Sequence, residues 1–152
     1  MESKIIDNIK NTVKTKDIVF FLGDFCWHRA IPSRIIPRLP GKWYWILGNH
    51  DKDLRKYLDK NNIEYYTLLD IEIDKQPITL CHYPMVSWNK SHFGAWQLYG
   101  HHHWATHNSD NEMFNGPKLN VTVENFDYYP IDYYSIKRIM EHRKDNWDKI
   151  RK

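Results

Sequence analysis

The stretch DIVFFLGD (residues 17–24) holds an unbroken apolar run from Ile18 to Leu22, rich in β-branched and aromatic residues and closed by Gly23-Asp24. A run of this length reads as a strand covered on both faces, the pattern of a central strand between layers. KWYWILGNHD (residues 42–51) repeats the form: an apolar run, then glycine, then polar residues able to coordinate a metal or to titrate. Two such strands with helical segments around them indicate an α/β (α+β) fold.

Upstream, Ile5, Ile6, Ile9 and Val13 recur at helical spacing, and Lys14 to Asp17 is a polar break. Between the two strands, IPSRIIPRLPG carries three prolines and can hold only a short or broken helix. DKDLRKYLDKNN is expected to be a helix that starts at Asp51 or Asp53 and stops at Asn61-Asn62. YYTLLDIEID and ITLCHYP are expected to form a hairpin around a KQP turn, and WQLYGHHH a further strand that runs into histidine. LNVTVENFDYYPIDYY reads as strand, turn and strand, and SIKRIMEHRKDNWDKI as a closing amphipathic helix capped by Ser135.

A chain of 152 residues fits one domain, residues 1–152, since chains of that size bury roughly 70% of their unfolded surface. The apolar fraction of 41% and charged fraction of 27% exclude a disordered chain. Cys26 and Cys81 form no CxxC pair and no disulfide framework, which suits a reducing, cytoplasmic setting. The apolar runs are too short for a membrane span or a signal segment. The net charge of +3 tolerates an anionic partner, but the basic residues are scattered without a long run.

Four expected strands end in Asp24, in Asn49-His50-Asp51, in His82 and in His101-His102-His103. In open α/β sheets ligands gather beyond the carboxyl ends of strands, so these ends can converge on one site. A mixture of carboxylate, carboxamide oxygen and imidazole suits Mn, Fe, Zn, Ni or Co better than calcium. A structural zinc site is the weakest reading, because such sites are closed cysteine and histidine sets. In this order the motifs Gly23-Asp24, Gly48-Asn49-His50-Asp51, His82 and Gly100-His101-His102-His103 resemble those of the calcineurin-like metallophosphoesterase superfamily. The stretch LCHYPMVSWNKSHFGAWQLYGHHH is similar to the branch of small bacterial and phage phosphoesterases.

The resemblance covers residues 17–125 and implies a sandwich of two mixed β-sheets flanked by helices. It also implies a hydrolase that cuts phosphomonoester or phosphodiester bonds with a metal-activated water. Carried over to this chain, Asp24 would bridge two divalent ions, manganese first among the candidates. Asn49, His82 and His101 would complete the second ion, and His103 would bind the first. His50 would be catalytic, orienting the phosphate and serving the leaving group. The substrate would be a phosphorylated small molecule or a nucleic acid.

One departure is large. The superfamily opens with a strand carrying Asp-x-His, and none precedes Asp24 here. The first ion would keep Asp24 and His103 alone, so one bound ion is expected rather than two. Either Met1 is an internal start, or the chain is shortened and lacks its first strand. In the second case a catalytically impaired module that binds metal, nucleic acid or protein becomes the alternative.

Several side chains carry plainer readings. His102 is expected to point away from its neighbours on an extended backbone, and Asp51 to open the following helix. His28 and Arg29 follow GDFCW where a loop can overhang the site, and a guanidinium fork suits phosphate oxygens. His92 and His107 read as loop residues. Trp43 and Trp45 read as core, while Trp88 and Trp104 flank the motifs and could meet a base.

Overall fold

Strand β1 (Ile18–Phe21) pairs in parallel with β2 (Lys42–Ile46), Phe20 opposite Tyr44 and Phe21 opposite Trp45. These elements belong to a computed structural model that describes residues 2–25, 31–103 and 116–143. Helix α1 (Glu2–Thr12) precedes β1, and α2 (Ile31–Ile35) with a 3₁₀ turn (Ile36–Arg38) leads into β2. Pro37 cannot donate to a continuing helix, which accounts for the break between them. Helix α3 (Lys52–Lys60) then returns the chain to β3 (Tyr65–Tyr66), which pairs in parallel with β2. A second sheet contains β4 (Leu68–Ile73), β5 (Gln76–Cys81), β6 (Trp96–Tyr99) and β7 (Lys118–Asn120) in that order. In it β4 and β5 are antiparallel and the other pairs parallel.

Alternation along β1 and β2 explains their unbroken apolar runs. Leu22 and Ile46 join Ile78, Leu80, Leu98 and Leu119 between the two sheets, with Phe20 packed against them. Trp45 instead faces Leu54 and Leu58 of α3, with Phe21 and Trp43 beside it. Each apolar side chain fully buried this way contributes about 1.5–3 kcal/mol. Helix α4 (Tyr133–Met140) closes the far side of the inter-sheet core with Ile136 and Met140. The result is two sheets flanked by helices, as the motifs imply; among the described residues the first sheet is wholly parallel and the second mixed.

Several boundaries differ from the expectations. YYTLLDIEID is two strands, because the chain leaves the first sheet at Tyr66 and enters the second at Leu68. The hairpin turn is Asp74-Lys75, both with positive φ, while Gln76 and Pro77 belong to β5. Two consecutive left-handed residues form the tight loop whose twist matches antiparallel strands. After β7 the chain makes a 3₁₀ turn (Val123–Phe126) and, among the described residues, no second strand. Helix α4 is capped by Asp132, not Ser135: its carboxylate accepts from the Tyr134 and Ser135 amides at 3.0 and 3.1 Å. Asp132 sits far enough back to reach two of the orphan amides of the first turn. Only half-buried, β1 lies at the edge of its sheet among the described residues, and Ile18 is 58% exposed.

Asp51 joins the turns that follow β1 and β2. Its carboxylate accepts the backbone N–H groups of Asp24 and Phe25 at 2.7 Å each and of Gly48 at 2.8 Å. Asp51 itself is 2% exposed, and the three donors are partly buried. Replacing Asp51 with alanine strands three partly buried donors, each costing about 1–3 kcal/mol. We expect Asp51→Ala to lower unfolding stability by at least about 3 kcal/mol in urea titrations. A midpoint equal to that of the parent chain would contradict this role.

Candidate metal centre

His82 leaves the end of β5 and is 1% exposed. Its Nδ1 lies 2.7 Å from the Leu22 carbonyl oxygen, an atom that can only accept, so Nδ1 carries the proton. In a neutral ring Nε2 then presents a lone pair. That lone pair faces Asn49 Oδ1 at 3.0 Å, His101 Nδ1 at 3.2 Å and Asp24 Oδ2 at 3.4 Å. His101 can donate one proton into this group, but the two oxygens have only lone pairs to offer. Electron-rich atoms crowded around the buried His82 repel unless a positive charge lies among them. An imidazolium at His82 would supply one such charge, and a divalent cation would satisfy all four groups together. The donor set therefore fits a metal ion of the borderline class.

The backbone is built to allow this approach. Gly23 has φ +93°, and a Cβ there would lie 2.6 Å from Gly48 N. A Cβ on Gly48 would lie 2.8 Å from Asp24 N. No other residue fits at either position without moving the ligands. Asp24 and His101 themselves adopt left-handed φ of 61° and 65°, a costly conformation for non-glycine residues that gathers at functional sites. Asp24 is further fixed by the His50 amide, which donates to Oδ1 at 3.0 Å and leaves Oδ2 directed at His82. On the other side, Asn120 and Thr122 donate to the His102 carbonyl at 2.8 and 3.1 Å and hold the histidine run in place.

Asp24, His82 and His101 offer ligand atoms that all lie within 4.8 Å of one another. Asn49 joins them through His82. His50 stands exposed beside Asn49, tied by its amide to the same Asp24. His102 is not among the converging groups, although the left-handed turn at His101 replaces the extended backbone expected there. His103 is also outside the cluster: its side chain is 58% exposed and its Nδ1 lies 3.1 Å from Glu124 Oε1. That contact engages Nδ1, so a metal at His103 would have to bind through Nε2. No pattern in the sequence singles out Glu124, which comes within reach only through the fold. His28, Arg29, Trp104 and His107 lie outside the described residues. Trp88, a candidate for base contact, is instead buried, its Nε1–H donating to the Ala95 carbonyl at 2.9 Å.

His101 titrates below the usual histidine range, first because burial penalises its charged form and then because His82 and the adjoining histidines repel a second positive charge. Neutral imidazole is the ligating form, so at His101 protons compete with a metal only once the pH falls below the ordinary value of 6.5. We expect one tightly held divalent ion per chain after dialysis against manganese. Binding should be lost in His82→Ala, retained in His102→Ala, and weakened as pH drops from 7 toward 5. Equal binding by the His82 variant would break the ligand assignment.

The calcineurin-like phosphoesterase family model matches residues 3–152. The uncharacterized protein MJ1445 of Methanocaldococcus jannaschii is 34% identical over 150 residues, covering 95% of this chain and 77% of that protein. The crystal structure of AQ665 from Aquifex aeolicus, a protein of unknown function, is similar with a TM-score of 0.73 and 29% identity, covering 91% of this chain and 84% of that one. Among the described residues no helix is long and apolar enough to cross a membrane. With the family model spanning nearly its whole length and the four motifs meeting around His82, this chain belongs to the calcineurin-like phosphoesterase family, whose function is of the metal-dependent phosphoesterase kind.

Proposed function

We propose that this chain hydrolyses phosphomonoester or phosphodiester bonds, with Asp24, Asn49, His82 and His101 holding a divalent ion, manganese first. The convergence of oxygen and nitrogen lone pairs on His82 Nε2 supports this reading most directly. Such an ion would act as a Lewis acid toward a phosphoryl oxygen and make a water nucleophilic at neutral pH.

The chain's own groups do the rest. The Leu22 carbonyl holds His82 through Nδ1 and keeps Nε2 turned toward the other three groups. Asp24 is oriented by the His50 amide, which couples the ligand to the neighbouring catalytic side chain. His50, exposed at the mouth, is the group placed to give a proton to the leaving oxygen as the bond from phosphorus to that oxygen breaks. Water supplies the incoming oxygen, and its released proton passes to solvent. Positioning and charge account for most of phosphoryl-transfer catalysis, so few further groups are required.

Among the described residues His103 is paired with Glu124 and the cluster has a single focus, which favours turnover with one ion and a slow rate. A second reading, a metal-binding module with impaired catalysis, draws on the same observation. An assay of p-nitrophenyl phosphate and bis(p-nitrophenyl) phosphate with manganese separates the two. We expect slow hydrolysis that EDTA stops, that His82→Ala reduces to background, and that His50→Ala lowers about a hundredfold. Hydrolysis that survives EDTA or His82→Ala would contradict the proposal, and none at all with a stoichiometric bound ion would favour the binding module.

A further inference from the structure

A groove of about 560 Å³ opens beside the metal centre, between the start of α3, strand β3 and the end of β5. We propose that this groove seats the leaving group of the substrate and selects a nucleotide ester whose leaving nucleoside carries a second phosphate. The inference rests on the phosphoesterase reading above and names its substrate class.

The groove and the centre share walls. Asn49 lines the groove and also faces His82 Nε2. Tyr83 lines it as well, and its ring stands 4.9 Å from that of His82 and 4.8 Å from that of His101. Gln97, fully buried, fixes Tyr83 by donating to its carbonyl at 2.8 Å while accepting from the Met85 amide at 3.0 Å. Tyr83 is nevertheless 45% exposed, an aromatic held at the rim of a reactive centre rather than packed away. Leu68, 41% exposed, and Tyr65 supply further apolar surface. The volume falls within the usual range of small-molecule sites, about 300–1,000 Å³.

Charge narrows the occupant. Lys52 and Arg55, both exposed, line the groove from successive turns of α3. Arg55 uses its Nε on the Tyr65 hydroxyl at 3.1 Å and lies over that ring at 5.6 Å. The guanidinium is therefore oriented by the groove wall, with the Asp59 carboxylate one turn along α3 also attracting its charge. The acid at this wall, Asp51, is spent on three backbone amides and is buried. An oriented guanidinium beside a lysine suits a phosphate, and the exposed ring of Tyr83 suits a base, which has a π-face for stacking. With the scissile phosphate at the metal centre, water adds to phosphorus, the bond to the 3′ oxygen breaks, and that oxygen takes the proton. The departing nucleoside occupies the groove with its own phosphate at Arg55.

Equilibrium binding in EDTA, followed by intrinsic fluorescence, tests this with no turnover. The probes are a thymidine dinucleotide with a 5′-phosphate and the same dinucleotide without it. We expect the phosphorylated form to bind about tenfold more tightly, corresponding to the strength of one charge-assisted hydrogen bond. Arg55→Gln should remove that difference and leave the unphosphorylated dinucleotide unaffected. Tyr83→Leu should weaken both forms. Equal affinity for the two dinucleotides, or an Arg55→Gln loss that is the same for both, would overturn the assignment. Because binding is read without metal, a lack of hydrolysis under manganese would count against the phosphoesterase reading alone.

Discussion

The carboxylate of Asp51 is the constraint on which the rest depends. Three backbone amides from two different strand ends point at one buried side chain, and this fixes the turn after β1 against the turn after β2. Asp24 and Asn49 ride on those turns. Without the clamp, the polar ends of two parallel strands would be joined by the ladder between Ile18–Phe21 and Lys42–Trp45 and by the bond from the His50 amide to Asp24. The geometry is a structural use of a charge: an acid within a motif of apparent ligands serves the backbone, while Asp24 and Asn49 turn an oxygen toward His82.

The second sheet delivers the remaining groups by a different route. β5 and β6 run in parallel, so their carboxyl ends lie side by side and present His82 and His101 together. His82 reaches across to the Leu22 carbonyl at the end of β1, one hydrogen bond that joins the two sheets at the centre. Burial makes this bond costly to break and also keeps the His101 imidazole neutral. Packing, tautomer and ligand chemistry are thus consequences of the same contacts. The left-handed residues Asp24 and His101 store some backbone strain there, held by the surrounding hydrogen bonds.

Much of this was legible in the sequence because strands that end in glycine and a polar residue are local patterns. The four strand ends and the flanking helices could be read from runs of apolar residues alone. The division of YYTLLDIEID between two sheets could not, since β3 is set by pairing with Trp45 and Ile46 and not by its own composition. Nor could the cap at Asp132, where the neighbouring Ser135 is an equally good capping type. The partners that complete the site were hidden for a shared reason. Asp51 meets Asp24 from 27 positions away and Glu124 meets His103 from 21, and neither separation leaves a periodic trace. Trp88 illustrates the converse: a tryptophan beside a motif looks available for a ligand until its indole N–H is found bonded to Ala95.

The candidate metal centre requires His82 to keep its proton on Nδ1 and to offer Nε2 to an ion shared with Asp24, Asn49 and His101. Nitrogen-15 NMR of the histidine rings during titration with zinc reads this directly. His82 Nδ1 should stay protonated throughout, and the resonances of His82 Nε2 and one ring nitrogen of His101 should shift together, saturating at one equivalent. A His82 ring that is doubly protonated at neutral pH and indifferent to zinc would contradict it, because an imidazolium would then be the charge that holds the cluster together.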